Sequence, residues 1–232
     1  MPMTLQITDY DTDVDRHLGP LMRPRDHRVA SGFYRSYAKR IMDILFTLAI
    51  APIVVPFVAA AAFLIAMDGR NPFYSQLRVG KGGEIFRMWK LRTMVHNADA
   101  LLEAYLAENP IARLEWDSTQ KLKKDPRVTL VGRILRKTSM DELPQLLNVM
   151  NGSMSVVGPR PMMVCQKDFY LGKSYYRLQP GITGLWQVSD RNEGEFVGRV
   201  RYDDIYDRIC SLRTDVWVLV RTVAVVIRCT GY

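Results

Sequence analysis

The sequence predicts an α+β fold that is mostly helical, with an N-terminal re-entrant (broken) membrane helix and a following domain that carries interface-lying amphipathic helices. Three observations support this: a charge-free apolar run at 44–67, short strand-like segments after it, and an apolar segment at 216–227. We divide the chain into a mobile N-terminal tail at 1–36, a re-entrant membrane helix at 37–68 and a folded domain at 69–232.

The composition excludes several classes of protein. The 232 residues are 48% hydrophobic and 24% charged, with a net charge of +8, which argues against a disordered chain, collagen or a coiled coil. Three cysteines without a CxxC pair and three isolated histidines predict neither a disulfide framework nor a structural zinc site. No apolar segment lies near Met1, so we expect no cleaved signal peptide.

The apolar run from Ile44 to Met67 predicts contact with lipid. As a helix it would measure about 36 Å, more than a hydrocarbon core of about 30 Å. Pro52 and Pro56 each remove a helical hydrogen bond, which predicts a sharp bend. Basic residues flank both ends of the run, whereas positive charge normally marks one side of a membrane. We therefore favour re-entry from the cytoplasmic face over the alternative, a proline-kinked single span.

Mixed helices and strands follow the apolar run. Segments 72–79 and 84–94 are predicted to be extended, around a glycine turn at 80–83 that lacks the spacing of a phosphate-binding loop. Apolar residues at helical spacing predict an amphipathic helix at 97–109 that stops at Pro110. The segment 216–227 is too short to span a membrane and is predicted to be a core or interface-lying helix.

The segment 133–161 holds the candidate chemistry. Proline is tolerated only in the first helical turn, so Pro144 predicts a helix that begins near Met140 or Asp141. The positive end of that helix would favour an ionised Asp141 and seat phosphate oxygens. The alternative is purely structural, since Asp is a common N-cap and Ser139 with Glu142 fits a capping box.

Basic residues surround these two acids in the sequence. Arg136 precedes them, and Arg160 follows between Pro159 and Pro161, which hold its backbone extended. The planar fork of arginine suits bidentate phosphate contact. Two adjacent carboxylates beside cations suit a diphosphate with Mg²⁺, although Arg160 alone would also fit a surface turn.

Several ordered motifs make a resemblance to a known family. They are KRIMD at 39–43, NPFYSQLRVG at 71–80, KLRTM at 90–94, DPRVTLVGRILRK at 125–137, DELPQLLNV at 141–149, MSVVGPRP at 154–161 and PGITGLWQV at 180–188. With them the chain resembles the bacterial sugar transferases, small monotopic polyprenyl-phosphate phosphoglycosyl transferases. The similarity covers about 39–222, and the sequence as a whole is most similar to the exopolysaccharide undecaprenyl-phosphate galactosephosphotransferases.

The resemblance implies roles for specific residues. Asp141 would be the catalytic nucleophile, and Glu142 would act beside it as the Mg²⁺ ligand. Phosphate or nucleotide would be held by four basic residues: Arg136, Arg160, Lys90 and Arg92. Three further residues match the family and would shape the nucleotide pocket or serve structure, the second being favoured: Asp203, Tyr206 and Asp215.

The resemblance also implies a reaction, with 69–232 as the catalytic domain. A hexose-1-phosphate, galactose-1-phosphate first and glucose-1-phosphate as the alternative, would pass from a UDP-sugar to undecaprenyl phosphate with release of UMP. The protein would lie at the bacterial inner membrane, with membrane lipid as a partner and the catalytic domain on the cytoplasmic face. A homo-oligomer is left open, as is a catalytically inert scaffold. Nucleic-acid binding through the net positive charge is disfavoured, since no RNA- or DNA-binding motif occurs.

Overall fold

The computed structural model describes residues 32–119, 122, 124–189 and 198–227. Most of the predicted mobile tail, residues 1–31, lies outside the described residues. The helices are α1 Lys39–Ala66, α2 Ala98–Glu108, α3 Pro110–Thr119, α4 Leu130–Thr138, α5 Leu146–Asn151, α6 Ser174–Arg177, α7 Leu185–Ser189, α8 Arg199–Ile209 and α9 Leu212–Ile227. The strands are β1 Phe73–Val79, β2 Ile85–Leu91, β3 Ser155–Val157, β4 Met162–Met163 and β5 Gly181–Thr183. The predicted mostly helical α+β composition is confirmed.

Helix α1 is one continuous helix in which Pro52 and Pro56 both lie inside the helical assignment. A π-helical turn at Tyr34–Ala38 precedes it, and the described chain is helical from residue 32, before the predicted boundary at 37. Among the described residues, the stretch Tyr34–Ala66 is long and apolar enough to cross a membrane by length and composition. The proline positions do not divide the helix into two, and re-entry stays a prediction.

Two small sheets follow helix α1. The first has the strand order β2-β1-β4, with β1 antiparallel to β4. The predicted extended segments thus form a hairpin, joined by a 3-10 turn at Lys81–Gly83 where Gly82 has a φ of 69°. The second sheet pairs β3 and β5 in parallel. Beside it, a Cβ atom at Gly158 would lie 2.2 Å from the Gln179 carbonyl oxygen, so only glycine fits there.

Contacts between residues divide the chain into two interleaved units. The first unit comprises 1–50, 77–88 and 146–224, and the second comprises 51–76, 89–145 and 225–232. The core of the first unit is built mainly from β3, α7, α8 and α9, with Val149, Val157, Tyr206 and Val218 fully or nearly fully buried. The core of the second unit joins the end of α1 to β2 and α4.

The beginning of α1 belongs to the first unit, where polar side chains fix it. The Lys39 ammonium lies 2.6 Å from the Asp215 carboxylate of α9. Asp43 accepts hydrogen bonds from the Ser155 hydroxyl at 2.7 Å and from the Val156 amide at 3.1 Å, both on β3. The KRIMD motif therefore ties the base of the apolar helix to the folded domain.

Candidate active site

Lys90, one residue before the end of β2, faces both of the candidate catalytic acids in the second unit. Its Nζ lies 2.7 Å from Glu142 Oε1 and 3.9 Å from Asp141 Oδ2. One ammonium group therefore approaches two carboxylates, although Lys90 and Glu142 are 52 positions apart. The structure brings these three predicted site residues together.

A tight reversal places the two acids directly after helix α4. Ser139 has a φ of 58°, a left-handed conformation that in the described part of the chain is otherwise confined to glycine. Its amide donates to the Arg136 carbonyl at 3.0 Å, and its own carbonyl accepts from the Glu142 amide at 3.3 Å. Ser139 thus adopts the left-handed backbone that is typical of a helix C-terminus, whereas an N-cap is normally extended. The capping box of Ser139 and Glu142 stays an alternative prediction.

The helix predicted to begin near Met140 is present in a modified form. Residues Met140–Gln145 form a 3-10 helix, and the α-helix proper begins only at Leu146. The proline lies within the 3-10 turns, where i to i+3 bonding replaces the α-helical bond that its ring would block. The site therefore has the predicted starting point, but Asp141 lies on a 3-10 turn and not at the end of a regular α-helix.

Asp141 is a buried carboxyl in a mixed electrostatic environment. Burial raises the pKa of Asp141, and the neighbouring Glu142 charge raises it further. The cations of Lys90 and Arg136 oppose that shift by favouring the ionised form. Incomplete hydration and partial charge compensation are the properties expected of a reactive carboxylate.

Arg136 is positioned by an interaction that the sequence reasoning missed. Its Nε donates to the buried Thr93 hydroxyl at 2.8 Å. Gly132, one turn earlier in α4, packs so closely on Thr93 that a Cβ atom would lie 2.1 Å from the Thr93 carbonyl oxygen. The terminal guanidinium nitrogens make no hydrogen bond within the described part of the chain. Burial lowers the pKa of Arg136, opposed by Asp141 and Asp125.

The sequence also did not predict an ion pair between Asp125 and Arg127, which lie shortly before Arg136 in the sequence. Asp125 accepts from Nε and Nη2 of Arg127, at 2.9 and 2.7 Å for the shorter contact of each nitrogen. Although burial opposes it, these hydrogen bonds lower the pKa of Asp125. The Arg127 guanidinium also lies 5.1 Å from the centre of the Trp116 ring. The DPR spacing was the signal that could have predicted this pair.

Arg92 occupies a different environment from Lys90. Its guanidinium donates to both carboxylate oxygens of Asp68 at 2.7 Å, to the Asn71 carbonyl at 2.8 Å and to the Ile65 carbonyl at 3.2 Å. All three guanidinium nitrogens therefore serve to close the end of α1 onto the following turn. These contacts argue against phosphate binding by Arg92, which stays a prediction.

Arg160 belongs to the first unit. Its guanidinium lies over the ring of the buried Trp186, 5.7 Å from the ring centre. Arg199, which the sequence reasoning did not single out, lies over the same ring at 4.3 Å. The signal available for Arg199 was weak, because it is one of several arginines in a charged stretch.

The remaining predicted residues, Asp203, Tyr206 and Asp215, are buried in the first unit. Asp203 accepts a hydrogen bond from the Tyr170 hydroxyl at 2.7 Å, and burial raises its pKa to about 7. Tyr206 donates to Asp215 at 2.6 Å. Burial raises the pKa of Tyr206, so this phenol stays protonated at neutral pH. The geometry accords with the structural role favoured for Tyr206 and Asp215.

The acidic pair fits a hard divalent cation only when a substrate contributes. The described residues contain no group of three or more His, Cys, Asp or Glu side chains that could hold a metal. Two carboxylates that already face one ammonium group do suit Mg²⁺, which binds through one or two carboxylates and completes its shell with phosphate and water. Asp141 and Glu142 are therefore candidates for a shared metal and diphosphate site.

Comparison with known proteins identifies the family to which this fold and this pair of acids belong. The chain belongs to the bacterial sugar transferase family, which it matches over residues 34–229. It is 43% identical over 197 residues to the UDP-galactose-lipid carrier transferase of Erwinia amylovora. These 197 residues make up 84% of this chain and 41% of that relative.

Two further relatives have lengths nearer to that of this chain. The exopolysaccharide production protein ExoY of Sinorhizobium fredii is 41% identical over 192 residues, or 82% of this chain and 85% of the relative. The UDP-glucose:undecaprenyl-phosphate glucose-1-phosphate transferase of Caulobacter vibrioides is 37% identical over 196 residues, or 80% and 68%. The chain spans about two fifths of the length of the Erwinia relative. The predicted family is confirmed.

Proposed function

We propose that this protein transfers a hexose-1-phosphate from a UDP-sugar to undecaprenyl phosphate and releases UMP, as the first membrane step of exopolysaccharide synthesis. The observation that carries the proposal is the buried Asp141 carboxylate beside Glu142, with Lys90 in contact with both acids and Arg136 as a further nearby cation. The names of three relatives include undecaprenyl phosphate together with the transfer of a galactose or glucose phosphate.

The proposed chemistry is a pair of displacements at one phosphorus atom. An Asp141 carboxylate oxygen attacks the phosphorus next to the sugar, and the bond from that phosphorus to the bridging oxygen breaks as UMP leaves. An oxygen of the lipid phosphate then attacks the same phosphorus and breaks its bond to Asp141. The carboxylate is regenerated, and the product is a lipid diphosphate sugar, so the kinetics are ping-pong.

The side chains around Asp141 have distinct tasks in this proposal. Lys90 and the fixed fork of Arg136 bind phosphate oxygens and limit charge repulsion as the carboxylate approaches. Burial of Asp141 removes water that would compete with the lipid phosphate for the acyl phosphate. Mg²⁺, held by Glu142, would neutralise the leaving phosphate when bound.

The proposed setting is the cytoplasmic face of the bacterial inner membrane. Helix α1 would anchor the protein, either as a re-entrant helix or as a span. Exposed apolar side chains along α9, such as Val216, Val220 and Val223, suit a helix that lies in the headgroup region. A catalytic domain held at the level of the lipid headgroups would have access both to a water-soluble sugar nucleotide and to a lipid phosphate.

Galactose-1-phosphate is the first choice of transferred group, with glucose-1-phosphate second. The names of two relatives at 43% identity specify galactose, and two at 37% and 34% specify glucose. No contact described above distinguishes the two sugars, so the choice follows the similarity alone.

The testing experiment uses the purified full chain with Mg²⁺, undecaprenyl phosphate and UDP-galactose or UDP-glucose in parallel. The expected result is a lipid diphosphate sugar with release of UMP, faster with UDP-galactose. Rapid quenching with donor labelled in the phosphate next to the sugar should give a labelled protein with the wild type and none with Asp141→Asn. Release of UDP would refute the mechanism, and an inert, correctly folded wild type would favour the scaffold alternative.

A further inference from the structure

Thr93, two residues after the end of β2, contacts helix α4 and its N-cap at three positions. The Thr129 amide donates to the Thr93 carbonyl at 3.0 Å, and Arg136 Nε donates to the Thr93 hydroxyl at 2.8 Å. Between them, Gly132 approaches so closely that a Cβ atom there would lie 2.1 Å from the Thr93 carbonyl oxygen. Positions 129, 132 and 136 follow the helical period and share one face. The face of α4 that carries Arg136 is therefore aligned against a single residue.

The backbone on both sides of this contact is held in place. An antiparallel bridge joins Met94 to Val128, so the residue after Thr93 pairs with the residue before the N-cap. The N-cap Thr129 accepts a hydrogen bond from the Gly132 amide at 2.9 Å. The first turn of α4 is therefore fixed relative to Thr93.

The Thr93 hydroxyl holds a cation without neutralising it. Thr93 is only 6% exposed, and its hydroxyl is an uncharged acceptor. Arg92, the preceding residue, is held instead by the carboxylate of Asp68, which compensates its charge. A hydrogen bond at Nε leaves most N–H donors of the Arg136 fork, those on the two terminal nitrogens, to face a ligand. Arg136 is thus held in one orientation with its positive charge uncompensated by the group that holds it.

The cation that Thr93 holds acts on the candidate nucleophile. Burial raises the pKa of Asp141, and the charges of Lys90 and Arg136 both oppose that shift. Lys90 belongs to the same KLRTM motif as Thr93 and lies 2.7 Å from Glu142. The segment 90–93 therefore supplies one of the two cations that act on Asp141 and holds the other.

We propose that Thr93 is a positioning residue, whose hydroxyl orients the Arg136 guanidinium so that its terminal nitrogens meet the oxygens of a substrate phosphate. This inference rests on the proposed function, in which Arg136 binds phosphate. Thr93 itself touches no substrate and acts only through Arg136.

The experiment compares two substitutions of Thr93 in the full chain in detergent micelles. Thr93→Val keeps the shape of the side chain but accepts no hydrogen bond, whereas Thr93→Ser keeps the hydroxyl. The measurements are UDP affinity by calorimetry and kcat/KM for UDP-galactose with undecaprenyl phosphate and Mg²⁺. Thr93→Val should lower both about tenfold, because a hydrogen bond to a charged group is lost, and Thr93→Ser should stay within about twofold of the wild type.

A double-mutant cycle with Arg136→Lys separates positioning from packing. Lysine has no Nε–H group in a rigid fork, so in that background Thr93→Val should change UDP affinity and kcat/KM by less than about twofold. If the Thr93 hydroxyl served packing alone, Thr93→Val would lower both quantities by the same factor in either background. That result would overturn the proposal, as would wild-type values in folded Thr93→Val.

Thr47→Val is the matched control for the loss of a buried threonine hydroxyl. Thr47 is 5% exposed, and its hydroxyl donates to the Asp43 carbonyl at 2.8 Å within α1. This variant should leave UDP affinity and kcat/KM unchanged. If Thr93→Val does not fold, as judged by thermal unfolding, Thr93→Ala takes its place in the same cycle.

The positioning role and the proposed reaction can fail separately. If UDP binding shows the expected coupling between Thr93 and Arg136 but the wild type forms no lipid diphosphate sugar, the proposed function fails and the positioning role stands. If the wild type forms that product and the cycle shows no coupling, the positioning role fails and the proposed function stands.

Discussion

Two buried aspartates show how differently the same side chain is treated in the two units. Asp215 is fully inaccessible and receives the Tyr34 hydroxyl at 2.7 Å, the Lys39 ammonium at 2.6 Å and the Tyr206 hydroxyl at 2.6 Å. Asp141 is also buried, but its nearest recorded cation is Lys90 at 3.9 Å.

The difference separates a structural carboxylate from a candidate nucleophile. Three short donors use the lone pairs of Asp215 and leave little capacity for another bond. Burial raises the pKa of Asp141, whose carboxylate has a backbone hydrogen bond within its own residue but, among the described residues, no short side-chain donor like those of Asp215. Its oxygens are therefore more available to a reacting phosphorus than those of Asp215. Hydrogen-bond saturation, more than burial, therefore distinguishes the two sites.

The largest expected effect is on turnover at the unsaturated site. Asp141→Asn keeps the shape of the side chain but removes the attacking oxygen charge, so turnover should fall about 10³-fold or more. The melting temperature should stay the same or rise, because no charge is desolvated in the variant. An assay of UMP release tests the fall in turnover, and thermal unfolding tests the melting temperature. Near-normal turnover would show that Asp141 is not the nucleophile.

The next effect is on stability at the saturated site. Asp215→Asn leaves the Lys39 ammonium buried without its charge partner, which should cost about 3–5 kcal/mol. A clear fall in melting temperature is expected, while the protein that remains folded keeps its turnover number. Tyr34→Phe is the matched control, because it removes a single hydrogen bond to the same carboxylate and should cost about 1 kcal/mol. Equal stability of the two variants would contradict the assignment.

The smallest expected effect is a displacement of the pH profile. The attacking carboxylate must be ionised, and burial raises the pKa of Asp141, so turnover should fall as the pH drops through that raised value. The Lys90 cation opposes the shift, so Lys90→Met should raise the pKa further and move the acid limb of kcat/KM to higher pH. Lys81→Met, in the exposed hairpin turn, should not move it. A shift to lower pH in Lys90→Met would count against this electrostatic account.

Local features of the fold were predictable because short-range rules decide them. The hairpin around the glycine turn, the helix that stops before Pro110 and the helical start at Met140 all follow from turn residues, apolar spacing and proline sterics. The form of the Met140 turn was not predictable in the same way. The left-handed Ser139 and the 3-10 geometry depend on how α4 must reverse, which no residue pattern states.

Long-range partners account for the parts of the site that the sequence did not predict. The contact of Lys90 with Glu142 crosses 52 positions, and that of Arg136 with Thr93 crosses 43. Arg92 stands two residues from Lys90 in the same motif, but its donors are used by Asp68. Motif membership thus identified the basic residues, whereas tertiary packing decided which of them face the acids. The division into two units, each made of segments far apart in the chain, likewise could not be predicted from the sequence.

The polar ties at the base of α1 have a practical consequence for anyone who wants a water-soluble fragment. Deleting the N-terminal residues through the apolar helix would remove the bonds from Tyr34 and Lys39 to the Asp215 carboxylate, and the bond from the Ser155 hydroxyl of β3 to Asp43. Asp215 and Ser155 would then be buried without these hydrogen-bond partners. A fragment that begins after Ala66 should therefore be destabilised or fail to fold. Solubilisation is better sought by replacing outward-facing apolar residues in the later turns, such as Ile53 and Phe63, with the helix kept in place.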